Sequence, residues 1–411
     1  MNFICSGFGS QTAMFSVDVG PQYEGENVRK NDYHVEFGGP KSEFKAELVT
    51  VKSMDEVEHE KVTIIGPDIK DMEEGKTYPI FVKIDVAGEE LEKDMEGVFE
   101  RRHHVYSNYI EGFWHMAQRD AIWMRIHKDT FGKGLNSFEE LGQILIMLYT
   151  NELPIIEKME VTYITDPEQV KEYVEMARPI YQERDDRLKG LTEEEVNEFY
   201  VCILCQSFAP THVCIVTPER MSLCGAISWL DGRAAFKIDP EGGIFAVEKG
   251  EIKDAEMHEY ENVNQIVAEK SLGRNSVYYL HSALENAHTS CGCFQAICYY
   301  IPEVDGYGIV HRDFVGDTVT GTRFSSMATE ASGGAQKEGF LGMAISYLRS
   351  PKFIISDGGW TRVVWIPKAI KEEVKDCIPE DMYGKIATEE DVKNVDELVE
   401  FLQKVEHPQM V

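Results

Sequence analysis

Six of the nine cysteines fall in two tight groups between residues 202 and 293. The first group runs Cys202-Ile203-Leu204-Cys205, then Cys214, then Cys224, a C-x2-C-x8-C-x9-C spacing. It holds enough thiolates for a cubane iron–sulfur cluster. The second group is Cys291-Gly292-Cys293. Two thiolates flanking one residue can wrap a single metal ion, with two backbone nitrogens as further donors. Such an N2S2 set is planar, and planar nitrogen and sulfur coordination favours Ni(II) or Cu(II) over tetrahedral zinc. Glycine in the middle leaves room for so tight a chelate.

Plainer readings stand beside this one. The first group could hold a structural zinc, although its second pair is not a close C-x2-C. The cysteines could also be ordinary core residues, but scattered core cysteines do not bunch in this way. A disulfide framework fits poorly: the count is odd, the chain is long and no secretory signal is visible.

Longer runs around the cysteines carry a resemblance. Cys205-Gln206-Ser207-Phe208-Ala209-Pro210-Thr211-His212-Val213-Cys214, Pro218-Glu219-Arg220 and Leu223-Cys224-Gly225-Ala226 resemble the cluster loop of CO-methylating acetyl-CoA synthases. Thr289-Ser290-Cys291-Gly292-Cys293-Phe294 resembles their nickel loop. Arg312-Asp313, Gly316-Asp317-Thr318 and Gly333-Gly334 fit the same pattern, and the similarity runs from about Phe15 to about Lys368.

The resemblance implies a [4Fe–4S] cluster on Cys202, Cys205, Cys214 and Cys224. It implies a distal nickel held by Cys291, Gly292 and Cys293, and a proximal nickel bridged by Cys205, Cys291 and Cys293. The implied enzyme is a reversible acyltransferase. It joins CO, a methyl group from a methylated corrinoid iron–sulfur protein, and coenzyme A. Phe208 matches a phenylalanine beside the open nickel position; its plain alternative is a core residue. Trp123 and Arg125 resemble a segment that lines the space opposite the metals. Trp114 and Arg125 are candidate coenzyme A contacts, since guanidinium suits phosphate and indole can stack on adenine. The plain alternative is a core tryptophan and a surface arginine. His103, His104 and His115 are not read as ligands, and His212 is read as a hydrogen-bonding residue.

The longer bacterial synthases begin with a domain that docks on carbon monoxide dehydrogenase. This chain resembles the type that starts at the following domain. Contact with that dehydrogenase is therefore expected to be weak or through a different surface, and ferredoxin is a further partner. Two other classes compete. An iron–sulfur electron carrier needs only the first cysteine group. A zinc-stabilised scaffold subunit of a larger complex needs no redox metal.

Composition bounds the rest. Acidic residues number 72 against 41 basic, a net charge of -31, which argues against binding a nucleic-acid phosphate backbone. The apolar run Ile144 to Tyr149 is too short to cross a bilayer, so no membrane role is expected. A cytoplasmic location follows and suits reduced thiolates.

The elements that must position these residues read as α/β (α+β), in more than one domain. Phe44, Ala46 and Leu48 alternate with polar residues as a half-buried strand. Further strands are expected at Val62–Ile65, Ile80–Val86, Ile122–Ile126 and Met159–Tyr163, and residues 1–40 hold edge strands at most. Helical spacing covers Glu89–Met116, and a capping box at Ser137 and Glu140 opens another helix. Residues 1–190 form the first, α/β domain with the candidate coenzyme A and partner contacts. Residues 191–411 form a mixed metal-cluster domain. Gln182–Lys189 is the linker or one solvated helix face, and a hinge at Gly190 would let the domains move. A second capping box, Thr192 and Glu195, is expected to open a helix that delivers Cys202 and Cys205. Gly225–Gly250 reads as short strands, and Phe353–Ser356 as a strand.

Overall fold

The computed structural model describes residues 2–4, 15–19, 32–116 and 119–410. The chain folds into two compact units, Met1–Lys189 and Gly190–Val411, each mixing helices with small sheets. The fold is α/β (α+β) and multi-domain.

The first unit is built on the sheet order Lys45–Val51, Ile80–Ala87, Lys158–Ile164, Val62–Ile65. The outer pairs are parallel and the central pair is antiparallel. Helices Glu96–Ser107, Phe138–Glu152 and Pro167–Asp186 pack on it. Lys45–Val51 is buried on both faces rather than half-buried. Its alternation misleads because polar Glu47 is itself buried, where His103 Nδ1 (2.6 Å) and His115 Nε2 (2.8 Å) meet its carboxylate.

Three expectations for this unit change. The helix expected over Glu89–Met116 spans only Glu96–Ser107, and Phe113–Met116 is a strand. Gly112 separates them at φ 69°, where a Cβ would run into Thr130 Oγ1, so the helix cannot continue through it. Tyr33–Gly38 is an interior strand of a second sheet, ordered Lys76–Tyr78, Tyr33–Gly38, Trp123–His127, Phe113–Met116, and not an edge. The remaining expectation for residues 5–14 and 20–31 lies outside the described residues. The polar run after Gln182 belongs to helix Pro167–Asp186, so its first part is a helix face rather than a linker.

The second unit holds the sheet Cys214–Val216, Glu198–Cys202, Ile244–Glu248 and the sheet Phe340–Met343, Ala296–Ile301, Gly306–His311, Val363–Trp365. The capping box at Thr192 closes only a single turn, Glu193–Glu195. Phe199-Tyr200-Val201 then enters the sheet, as aromatic and β-branched residues prefer, so Cys202 arrives on a strand and not on a helix. Trp229–Ile238 is a helix where short strands were expected, opened by reciprocal bonds between Ser228 and Asp231. Phe353–Ser356 is a turn that runs into the 3-10 helix Ile355–Asp357 rather than a strand, because Ile354 takes φ 39°.

Glu193 ties this unit together. Its buried carboxylate accepts from Thr217 Oγ1 (2.6 Å) and His281 Nε2 (3.0 Å) and faces Lys352 Nζ (3.4 Å). Burial alone would raise its pKa. His281, Lys352 and Thr217 outweigh burial and hold it at about 2, against 4.5 for a free glutamate. A folded-state pKa below the unfolded one gives stability that is present above pH 4.5 and lost as pH falls toward 2. Glu193→Ala should cost about 3–5 kcal/mol near neutrality and flatten the loss over that acid window. Urea unfolding at several pH values checks this; equal pH slopes in both proteins would refute it.

Candidate metal centre

Strand Glu198–Cys202 runs antiparallel to Cys214–Val216, with Cys202 directly opposite Cys214. Opposed residues on antiparallel strands project to the same face, so two thiols of the first group meet there. The strand stops where Ile203 N bonds Gly243 O at 2.9 Å. A 3-10 turn, Leu204–Ser207, then carries Cys205. The Gln206 amide anchors that turn by donating to His212 O (3.0 Å) and Lys270 O (2.8 Å). Cys224 sits on a tight loop in which Ser222 Oγ accepts from Ile227 N (2.9 Å) and lies 3.3 Å from Cys224 Sγ.

A staple brings the two cysteine groups together. Buried Thr289 Oγ1 donates to Val213 O (2.8 Å) and accepts from Val213 N (3.0 Å). Its remaining contact, His212 Nδ1 at 3.0 Å, must then be an imidazole N–H donating to it. Gly334 closes the other side. It bonds Ser290 O at 2.7 Å, and a Cβ on it would come within 2.5 Å of His212 N. Arg312 donates to Gly292 O (3.4 Å) and Phe294 O (2.8 Å), which holds the Cys-Gly-Cys turn open at Gly292, φ 100°. The motif residues Gly334 and Arg312 are thus framework for the second loop.

The thiols converge. Cys291 Sγ and Cys293 Sγ lie 2.7 Å apart. Ligand atoms of Cys205, His212 and Cys291 lie within 4.8 Å of one another. Hydrogen bonds from Cys205 and Cys293 draw the Cys291 thiol down to about 2, and the first of these pushes Cys205 up to about 12. Cys293 is raised by bonds to Cys205, Cys224 and Cys291, and its bond takes Cys224 down to about 6. Shared protons of this kind are what a metal cation displaces when it binds thiols. The donor set fits the iron–sulfur and nickel groups: soft sulfur throughout, with Cys202 and Cys214 buried, Cys205, Cys224 and Cys291 half-buried, and Cys293 exposed. Phe208 is 89 % exposed, so the core reading of it is wrong. His212 is buried against Thr289, and its nearness to Cys205 and Cys291 was not legible in the sequence.

The candidate coenzyme A residues lie in the first unit. Trp114, Arg125, Glu36 and Thr77 stand opposite one another across four strands. Arg125 Nε meets Glu36 Oε2 at 2.7 Å, Trp123 Nε1 donates to it at 3.0 Å, and Thr77 Oγ1 reaches Oε1 at 2.6 Å. The guanidinium carbon lies 4.6 Å from the Trp123 ring centre and 5.4 Å from that of Trp114. Burial favours a neutral Glu36, but bonds from Thr77, Lys41, Arg125 and Trp123 hold it at about 2. Trp114 is core, whereas Arg125 is 5 % exposed and not a surface residue. Sequence reasoning missed Glu36, which already neutralises that arginine.

Two carboxylate–imidazole groups lie elsewhere: Glu47 with His103 and His115, and Glu193 with His258 and His281. His103 and His115 meet Glu47 at hydrogen-bond distances, which accounts for both without a metal.

Comparison with known proteins bears on both units. The family described as the C-terminal part of the ACS/CODH beta subunit matches residues 181–411. The family described as CO dehydrogenase/acetyl-CoA synthase complex beta subunit matches residues 15–170. The likeness thus continues past Lys368 to the last residue. The chain is 58% identical to the acetyl-CoA decarbonylase/synthase complex subunit beta of Methanopyrus kandleri, over 95% of this chain and 84% of that one. It is 55% identical to subunit beta 2 of that complex from Methanocaldococcus jannaschii, over 95% and 82%. It is 53% identical to subunit beta from Archaeoglobus fulgidus, over 97% and 76%. A solved C-terminal domain of an acetyl-coenzyme A synthase alpha subunit shares 38% identity, covering 30% of this chain and 96% of that one at TM-score 0.28. Among the described residues, no helix is long and apolar enough to cross a membrane.

Proposed function

Since the chain belongs to the beta-subunit family of CO dehydrogenase/acetyl-CoA synthase complexes, we propose that it makes or cleaves acetyl-CoA at a nickel–nickel–[4Fe–4S] centre. The carbon sources would be CO and a methyl group carried by a corrinoid iron–sulfur protein, with coenzyme A as the acetyl acceptor. CO would come from a carbon monoxide dehydrogenase, and electrons from a ferredoxin. The observation that carries this reading is the convergence of Cys205 with Cys291 and Cys293 from loops far apart in sequence.

Cys202, Cys205, Cys214 and Cys224 would hold the cluster. Cys291, Gly292 and Cys293 would hold the distal nickel through two sulfurs and two backbone nitrogens. Cys205, Cys291 and Cys293 would share the proximal one. When bound, these metals supply carbon–carbon and carbon–sulfur bond making and electron storage.

The chain's own residues bind and orient. The Thr289 staple sets the spacing of the two loops. Arg312 fixes the carbonyls on either side of the Cys293 amide, which keeps that nitrogen facing the chelate. Exposed Phe208 offers an apolar wall that keeps water from the open nickel position. In the first unit, Trp114, the indole first expected to stack on adenine, is buried, which leaves half-buried Trp123 as the platform coenzyme A could reach. Arg125 is committed to Glu36, so a coenzyme A phosphate must compete with that carboxylate for it.

Anaerobic metal analysis tests the proposal. We expect about four iron and about two nickel per chain. Stoichiometric zinc without iron, in protein kept strictly anaerobic, would favour the scaffold reading and sink this one. Iron without nickel under nickel-replete conditions would favour an electron carrier.

A further inference from the structure

Arg220 lies in the cluster loop between Cys214 and Cys224, held by a turn in which Thr217 N bonds Arg220 O at 2.8 Å. Its side chain is 1 % exposed. Its Nε and both terminal nitrogens are buried without a hydrogen-bond partner among the described residues. The other buried arginines here are paired, Arg184 with Glu96 and Glu100 and Arg125 with Glu36, and the buried Lys371 ammonium donates to Ile386 O. In a chain with 72 acidic residues against 41 basic, none pairs with Arg220 among the described residues.

Its surroundings do not supply the missing charge. The guanidinium carbon lies 5.1 Å from the Tyr347 ring centre. The Tyr278 hydroxyl is close by, but burial raises its pKa and holds it neutral, so it brings no negative charge. His288 is kept neutral by burial and by Arg220 itself. A cation–π contact recovers only about 2 kcal/mol, whereas burying an unpaired charge costs several. The turn that holds Arg220 follows directly on the strand Cys214–Val216, and Cys224 comes four residues after it, so the segment that carries this unpaired charge runs between two of the cluster cysteines.

We infer that Arg220 is the buried counter-charge of the iron–sulfur cluster, its guanidinium N–H groups serving the sulfurs beside Cys214. The inference rests on the cluster reading above. A cubane on four thiolates is anionic, and its potential depends on net charge and on hydrogen bonds to sulfur. A guanidinium offers five donors in a fixed fork, so it can serve several sulfurs at once. Arg220 is therefore a positioning residue that retains the cluster and eases its reduction. It touches no substrate.

The test compares the wild-type chain with Arg220→Met and Arg220→Lys, each metal-free and iron-loaded under anaerobic conditions. Counter-charge predicts effects of opposite sign in the two forms. Metal-free Arg220→Met should resist urea at least as well as wild type, because an uncompensated cation has gone. Iron-loaded Arg220→Met should lose iron to a chelator at least tenfold faster. Its reduction equilibrium should weaken about tenfold, or ~59 mV for one electron. Arg220→Lys keeps the charge and should stay within about threefold of wild type in potential. A potential and chelation rate unchanged in Arg220→Met would overturn the inference. So would equal destabilisation of both forms, which marks a purely structural side chain. Wild type that takes up no iron would overturn the cluster reading itself, and this inference with it.

Discussion

Cys205→Ser should abolish acetyl transfer and leave the chain short of both iron and nickel. Cys205 lies at the meeting of the two loops, in contact with Cys291 and Cys293 and electrostatically coupled to Cys202. Losing a residue that merely supports a metal ligand costs ~10–100-fold; losing a shared ligand should exceed that. Cys293→Ser is the informative partner. It should lower nickel and leave iron near the wild-type count, although Cys293 also lies against Cys224. Cys298→Ala is the control. Cys298 is fully buried in the hydrophobic core of the second unit, and its truncation should cost about 1 kcal/mol without changing metal content. Iron and nickel counts on the three variants, with acetyl transfer assayed alongside, decide the matter. Full activity in Cys205→Ser with loss in Cys298→Ala would overturn the ligand set.

Gly292→Ala should remove nickel and spare iron. Gly292 takes φ 100°, a conformation L side chains rarely adopt, and a Cβ would lie 3.2 Å from Ser332 Cβ. The backbone term alone costs on the order of 1–3 kcal/mol. Moving this peptide also moves the two amide nitrogens that would complete the chelate. Iron should therefore hold while nickel falls below half of the wild-type value. Adding Ser332→Gly separates the causes. It relieves the contact but not the dihedral, so nickel should not return. Recovery of nickel in the double variant would mean that crowding, not backbone conformation, is what requires glycine at position 292.

The two cysteine groups were legible because their spacing is local. Cys202 to Cys224 and Cys291 to Cys293 announce themselves within short windows. What joins them is not local. Thr289 meets Val213 across 76 positions, and nothing near a threonine marks it as a staple. The same holds for Arg125, whose carboxylate partner Glu36 is 89 positions away. The Thr192 capping box misled for a related reason. A cap reports one turn, whereas the state of the next residues is settled by the strands Cys214–Val216 and Ile244–Glu248 that flank them. Glu47 shows the limit of alternation as a signal. A polar residue reads as solvent-facing until its histidine partners are known.

The uneven depth of the six thiols has a consequence for how the protein matures. Cys202 and Cys214 face each other across an antiparallel ladder and are 6% and 3% exposed. On the proposed cluster reading, iron would have to reach sulfurs that solvent barely touches, one of them on Cys214–Val216, a strand of only three residues. Cys293 is exposed and lies on a loop, so nickel would reach it directly from solvent. On that reading iron would be installed before nickel. Nickel could on the same reading be added, lost and replaced in the finished chain. Damage to the outer metal would then be repairable from solvent, whereas the sulfurs of Cys202 and Cys214 would be far harder to refill.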